Sequence, residues 1–203
     1  MRAEKLLSPA EVGAIAGIPL RSVYKAIQQR LPAGFVVRRN RQTMLTRWGA
    51  ICVVIDYEMP KYVPLAVRKQ VYAQIKSAAG TRAIKSQRGI FNYMIDVKYA
   101  ADKMNVDLAN YREAMQLIVA DPDVQAGAAT FKGTRILVHQ VADLVSQGAT
   151  EVELREDYPR LTREMIAAAA IYAKSHPRQG RPRKPSWRNN QPLSTRTIER
   201  RGA

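Results

Sequence analysis

The chemistry that an enzyme would draw on is scarce in this chain. It has one cysteine and two histidines, so an internal disulfide is excluded and no Cys/His cluster has metal-ligand spacing. His139 and His176 read as surface or helix-end residues. Cys52, inside an apolar run, reads as a small core side chain rather than a nucleophile. There is no Walker loop, no Gly-x-Gly-x-x-Gly and no Gly-x-Ser-x-Gly. Glu151, Glu153, Glu156 and Asp157 stand close together, but capping and solvation of a helix explain that spacing. The expectation is a non-enzyme with no cofactor and no metal.

Long apolar runs are missing too. The most apolar one, Trp48 to Tyr57, spans about ten residues, against the roughly 20 needed to cross a bilayer. The first residues do not join a basic region to an apolar core of signal-peptide length. A cytoplasmic protein with no membrane segment is expected. Acid is the remaining deficit: 17 Asp and Glu face 33 Lys and Arg, a formal charge of +16. That is more than solubility needs and points to a polyanion or an acidic protein surface as partner, with a merely well-solvated surface as the competing explanation. With 46% hydrophobic residues over 203 positions, the chain can bury one or two small cores.

Ser8-Pro9-Ala10-Glu11 has the form of a capping box with proline preset for the first helical position, so a helix starts there. Its apolar face is Val12, Ile15 and Ala16. Gly17-Ile18-Pro19 stops it and leads into a second helix carrying Val23, Tyr24 and Ile27, a helix-turn-helix pattern. Phe35 to Arg39 and Thr43 to Arg47 flank the polar Asn40-Arg41-Gln42 and read as a β-hairpin, in the place of a wing. Trp48 to Tyr57 reads as a buried helix, with its β-branched content leaving a strand open. Val67, Val71 and Ile75 fall on another helix, and Phe91, Tyr93, Ile95 and Val97 alternate as a strand. Val97, Ala101, Met104, Leu108, Tyr111, Met115 and Ile118 line one helical face, as core packing or as a coiled-coil seam.

Asp121-Pro122-Asp123 turns the chain into a third section. Val138, Val141, Ala142 and Val145 make a helix closed by Gly148. Thr150 with Glu153 forms a second capping box, and Thr162 caps a helix through Ile166, Ala170 and Ala173. So small a trihelical unit is expected to pack on the preceding segment or to dimerise. From Pro177 on, the chain is proline-rich, lacks apolar periodicity, and carries eight basic residues against Glu199. Such a tail is expected to be disordered when free and to fold onto a partner through Trp187, Leu193 and Ile198.

The fold class expected is mainly α with small β-hairpins: a winged helix-turn-helix over 1–60, a connecting segment over 61–118 that could dimerise, a trihelical module over 119–176, and the tail over 177–203. In the first unit the second helix would enter the major groove. Arg21, Ser22, Lys25 and Gln28 are then the outward candidates, and Tyr24 either meets a phosphate or packs inward. Arg38, Arg39 and Arg41 of the hairpin lie against the backbone or in the minor groove. Residues 1–50 hold nine Lys or Arg against Glu4 and Glu11. A solvated positive face is the alternative.

Gly133-Thr134-Arg135-Ile136-Leu137-Val138, then Gly148-Ala149-Thr150, then Glu156-Asp157-Tyr158-Pro159-Arg160-Leu161-Thr162 resemble a family of bacterial VapB-like antitoxins over residues 117–177. Ala126 to Phe131 replaces that family's Gly-Gly-x-Pro-type turn. Gly133 is expected to bend the backbone and Arg135 to anchor the module. The resemblance implies a small helical module paired with a PIN-like ribonuclease toxin, in longer members behind an added DNA-binding region. It also implies that Arg178, Arg181, Arg183, Lys184 and Arg188 meet the toxin's acidic metal site, with Trp187 and Leu193 in apolar grooves. The expected function is therefore a type II antitoxin that neutralises the toxin and, as a homodimer or a larger complex with it, binds double-stranded operator DNA to repress its own operon. The alternative is a stand-alone helix-turn-helix transcription regulator or excisionase-like DNA-binding protein.

Overall fold

Ser8 begins the architecture as the sequence requires: its hydroxyl accepts from the Glu11 N–H at 3.1 Å, and its own N–H donates to the Glu11 carboxylate at 2.8 Å. A computed structural model of the chain describes residues 6–29, 31–39, 41–77, 83–88 and 91–178. These are mostly helical, with eight α-helices and three two-stranded antiparallel sheets among them. Helix α1 (Pro9–Ala16) ends at Gly17, whose φ of 67° is the left-handed conformation that glycine adopts without strain. Helix α2 (Leu20–Gln29) follows, then the hairpin of β1 (Val36–Arg39) and β2 (Gln42–Leu45). Helix α3 (Arg47–Glu58) is capped by Thr46, whose hydroxyl accepts from the Gly49 N–H. This cap, and the burial of every residue from Gly49 to Asp56, settle Trp48 to Tyr57 as helix despite its β-branched residues.

Helix α4 (Leu65–Ser77) carries Val67, Val71 and Ile75 inward as the four-residue spacing requires. It packs against β3 (Ala83–Arg88), which pairs with β4 (Phe91–Asp96) from Ala83↔Asp96 to Arg88↔Phe91. Helix α5 (Val97–Gln116) is capped by Asp96 and buries Val97, Ala100, Met104, Tyr111 and Ala114 against the rest of the chain. Its seam is therefore used within the molecule as core packing.

The third section opens with a pair not foreseen from sequence, β5 (Ile118–Ala120) with β6 (Ala129–Phe131). The turn at Asp121 joins them, and the Asp121 carboxylate accepts from the Asp123 N–H. Helices α6 (Val138–Ser146), α7 (Glu151–Asp157) and α8 (Arg163–Ser175) follow, with Thr150 and Thr162 as caps. Gly133, at φ 74°, supplies the expected bend. Arg135 does not anchor the module: it is exposed, and the turn is held by Thr134, whose hydroxyl donates to the Phe131 carbonyl and accepts from the Ile136 N–H. A side chain two bonds long closes this turn locally, which a long, solvated arginine does not.

Two cores result. Residues from Leu7 to Tyr111 form the first; Phe131, Val138, Val141, Ala142, Leu154, Leu161 and Ala169 form the second. Helix α8 serves both, packing on α6 on one side and on α1 and α5 on the other. Its Ala167 to Ala170 run makes this possible, because small side chains let a helix approach neighbours closely on two faces, and Ala168 and Ala169 are fully buried. Ile171 reaches the first core and Tyr172 the second. The trihelical unit thus packs on the preceding segment. No described helix is long and apolar enough to cross a membrane.

Candidate nucleic-acid interface

Helix α2 has a strongly two-faced character. Val23 and Ala26 are buried and Ile27 half-buried, while Arg21, Lys25 and Gln28 are exposed at the i, i+4, i+7 spacing that sets them on one face. Ser22 is half-buried at the edge of that face, and Tyr24, 44% exposed, lies outward rather than in the core. The helix is held down by a close approach in the preceding turn: a Cβ on Gly13 would lie 2.9 Å from the Ile18 carbonyl oxygen. The α1 glycine therefore sets how tightly α2 folds back.

The hairpin is fixed from three sides. Leu7 and Leu45 exchange backbone hydrogen bonds of 2.9 and 2.7 Å, and the Thr46 N–H donates to the Phe35 carbonyl. Gly49 of α3 sits directly under that carbonyl. Arg38 and Arg39 project from β1 opposite Thr43 and Gln42, exposed. Arg41, in the two-residue connection, is exposed with a φ of 62°, a conformation uncommon for a residue with a side chain.

The charge of this surface is uncompensated. Between Glu11 and Asp56 the chain has seven Lys or Arg and no acid. Among the described residues, Arg21, Lys25, Arg38, Arg39 and Arg41 form no ion pair, whereas Arg68, Lys98, Lys103, Arg155, Arg163 and Arg178 each face a carboxylate. Five exposed cations on one helix and one hairpin give this face a single sign of charge.

A cleft of about 460 Å³ extends this surface in a way sequence reasoning missed: Ser22 and Lys25 share it with Tyr57 at the end of α3, Lys61 of the segment joining α3 to α4, and Leu65 at the start of α4. Tyr62, beside it in sequence, is 81% exposed. The segment is pinned by Arg68, all five of whose N–H donors are used. Nε donates to the Val63 carbonyl, Nη1 to the carbonyl and carboxylate of Asp56, and Nη2 to the carbonyls of Met59 and Pro60, at 2.6–3.1 Å. One buried cation therefore closes α3 and shapes the loop. The Tyr72 hydroxyl also donates to Asp56, at 2.5 Å, and burial followed by this bond pushes its pKa up. Burial, then the Asp56 charge, pushes the Cys52 thiol up, consistent with an inert core side chain. The only advance signal for Lys61 and Tyr62 was a basic and aromatic pair bracketed by Pro60 and Pro64.

Of the residues expected to meet a toxin, Arg178 alone is described, and its Nη1 donates to Asp143 at 2.7 Å. Arg181, Arg183, Lys184, Trp187, Arg188 and Leu193 lie outside the described residues. The two histidines flank one ring: His176 stacks on Tyr172 with centroids 4.3 Å apart, and His139 meets the same ring edge-on at 5.3 Å. Burial, then Arg178, lowers the His139 pKa.

Known proteins resemble this chain in two ways. The family described as a protein of unknown function, DUF433, matches residues 118–173, from the start of β5 into α8. Uncharacterized protein y4eO of Sinorhizobium fredii (strain NBRC 101917 / NGR234) is 27% identical over 196 residues, spanning 88% of this chain and 85% of that one. No solved structure matches the chain.

Proposed function

We propose that this protein is the antitoxin of a type II toxin-antitoxin system. Helices α1 and α2 with the β1–β2 hairpin act as a winged helix-turn-helix that binds double-stranded operator DNA and represses the operon, while the C-terminal part neutralises a PIN-like ribonuclease toxin. The observation that carries the DNA half is the unpaired basic surface shared by α2 and the hairpin, with Arg21, Lys25 and Gln28 on the face that a recognition helix presents to bases. Two copies on successive half-sites are the matching assembly. The toxin half is supported by the VapB-like motifs from Gly133 to Thr162, which fall inside the matched span of residues 118–173, and by the basic tail that follows.

Binding to duplex DNA from immediately upstream of the coding sequence should weaken about a thousandfold or more between 50 and 200 mM salt if some six phosphates are neutralised. A flat titration rejects the DNA half. A chain ending at His176 should still bind DNA but fail to protect cells expressing the partner nuclease, and continued protection rejects the role of the tail. Against a DNA-only regulator or excisionase-like protein, co-purification decides: an antitoxin brings down a small protein in fixed ratio, and a DNA-only protein brings down nucleic acid.

A further inference from the structure

We propose that the cleft where the turn at Gly133 meets the turn before α8 is a binding site for a carboxylate, held by the guanidinium groups of Arg135 and Arg160. The site goes beyond both halves of the function proposed above and depends on neither. Two motifs that the DNA surface leaves unused, Gly133-Thr134-Arg135 and Tyr158-Pro159-Arg160, come together in it. Both arginines are exposed, and both line one cleft of about 430 Å³. The Arg160 Nη1 donates to the Gly133 carbonyl at 3.5 Å, a long contact that joins the two turns and leaves the guanidinium open to a stronger acceptor. Neither arginine has an ion-pair partner among the described residues. The contrast is local: Arg155 and Arg163, on either side of Arg160 in sequence, lie 3.7 and 3.8 Å from the Glu151 carboxylate.

The rest of the lining selects among anions. Thr130 is fully buried, and its hydroxyl donates to the Val119 carbonyl at 3.5 Å, against the roughly 2.7–2.8 Å usual for such a bond. A buried donor thus borders the cleft with its hydrogen bond nearly unmade. Asp121 lines the cleft as well. Two guanidinium groups and this carboxylate sum to one positive charge, which a bound carboxylate neutralises and a phosphate dianion overshoots. The planar forks of arginine also match the two oxygens of a carboxylate. Val119, 41% exposed, and the half-buried Val124 give an apolar wall for the carbon chain that bears the acid. The cleft is separate from the DNA surface. Arg160 precedes α8, the turn into α2 meets the other end of that helix through Ala173 and Pro177, and the helix between them is about 20 Å long.

The test is proton–nitrogen NMR of the full chain, read at the backbone amides of Thr130 and Thr134 and at Nε of Arg135 and Arg160. The chain is titrated separately with propionate, with the peptide acetyl-Gly-Glu-Gly-amide, with the same peptide carrying Gln for Glu, and with inorganic phosphate. Propionate and the Glu peptide should shift these signals saturably, and the Gln peptide should not. The double variant Arg135→Gln, Arg160→Gln should bind roughly tenfold or more weakly, as loss of hydrogen bonds to a charged group implies, with its other resonances in place. Tighter binding of the Glu peptide than of propionate assigns the carboxylate to an acidic residue of a protein partner, and binding no tighter assigns it to a free acid. Phosphate binding tighter than propionate, equal binding by the parent and the double variant, or no shift with either carboxylate overturns the proposal.

Discussion

A Cβ on Gly49 would lie 2.4 Å from the Phe35 carbonyl oxygen, so the first turn of α3 and the base of the β1–β2 hairpin meet with no room for a methyl group. The contact is with backbone, which has little freedom to give way. Gly49→Ala should lower stability by about 1–3 kcal/mol through overpacking, measured by denaturant unfolding. Because the hairpin carries Arg38, Arg39 and Arg41, DNA affinity should fall in the same variant even under conditions where it is fully folded. Unaltered stability would mean that the hairpin is free to move away from α3.

Arg68 and Asp56 set a second expectation. Arg68→Met strands the carbonyls of Asp56, Met59, Pro60 and Val63 and leaves a buried carboxylate with the Tyr72 hydroxyl. Removing one member of a buried pair typically costs about 3–5 kcal/mol. Asp56→Asn should cost less, because the backbone carbonyls still occupy the guanidinium. Equal losses in the two variants, read from urea midpoints, would show that the ion pair rather than the carbonyl set holds the loop.

Local signals made much of this fold readable. Ser8 with Glu11, Thr150 with Glu153, and Thr162 cap helices where their types and spacings indicate, because a cap is decided within four residues. The outward set Arg21, Lys25 and Gln28 follows from helical period alone. What escaped is tertiary. Strand β3 was hidden because one of its inward residues is Ser86, which breaks apolar alternation and whose hydroxyl hydrogen-bonds to Gln70. Strands β5 and β6 are three residues long and exist through each other. The docking of α8 on α1 is written in alanines, which state that something comes close but not what. Lys61 joins Lys25 only because Arg68, further along the chain, gathers the loop between them.

His139 predicts a pH dependence. Its pKa is lowered in the folded state, by burial first and then by Arg178, so the unfolded chain takes up the proton more readily. Stability from this group is complete above the ordinary imidazole value of about 6.5 and is lost as pH falls through that value toward the lower folded one. His139→Gln should flatten the difference in melting temperature between pH 7.5 and pH 5.5. A variant whose melting temperature drops as much as the parent's would place the acid sensitivity elsewhere.

Lys61 tests whether the α3–α4 loop belongs to the interface. If the cleft it shares with Ser22 and Lys25 admits a phosphate, Lys61→Ala should shift the log–log salt slope by about 0.9 and weaken binding to all duplexes alike. Lys132→Ala, on an exposed position beyond β6, serves as the control and should leave the slope unchanged. Equal effects of both would reduce Lys61 to a contributor of net charge.

Arg41 separates function from stability by sign. A residue with a side chain in the left-handed region, at φ 62°, costs roughly 1 kcal/mol relative to glycine. Arg41→Gly should therefore leave the protein as stable as the parent or more stable by up to about 1 kcal/mol. The same change removes a cation with no ion-pair partner among the described residues, so DNA binding should weaken and its salt slope shift by about 0.9. Arg41→Gln keeps the backbone strain and loses only the charge, and it should show the binding defect without the gain in stability. If Arg41→Gly instead destabilises the chain and binds DNA as before, the arginine serves the turn and not the phosphate.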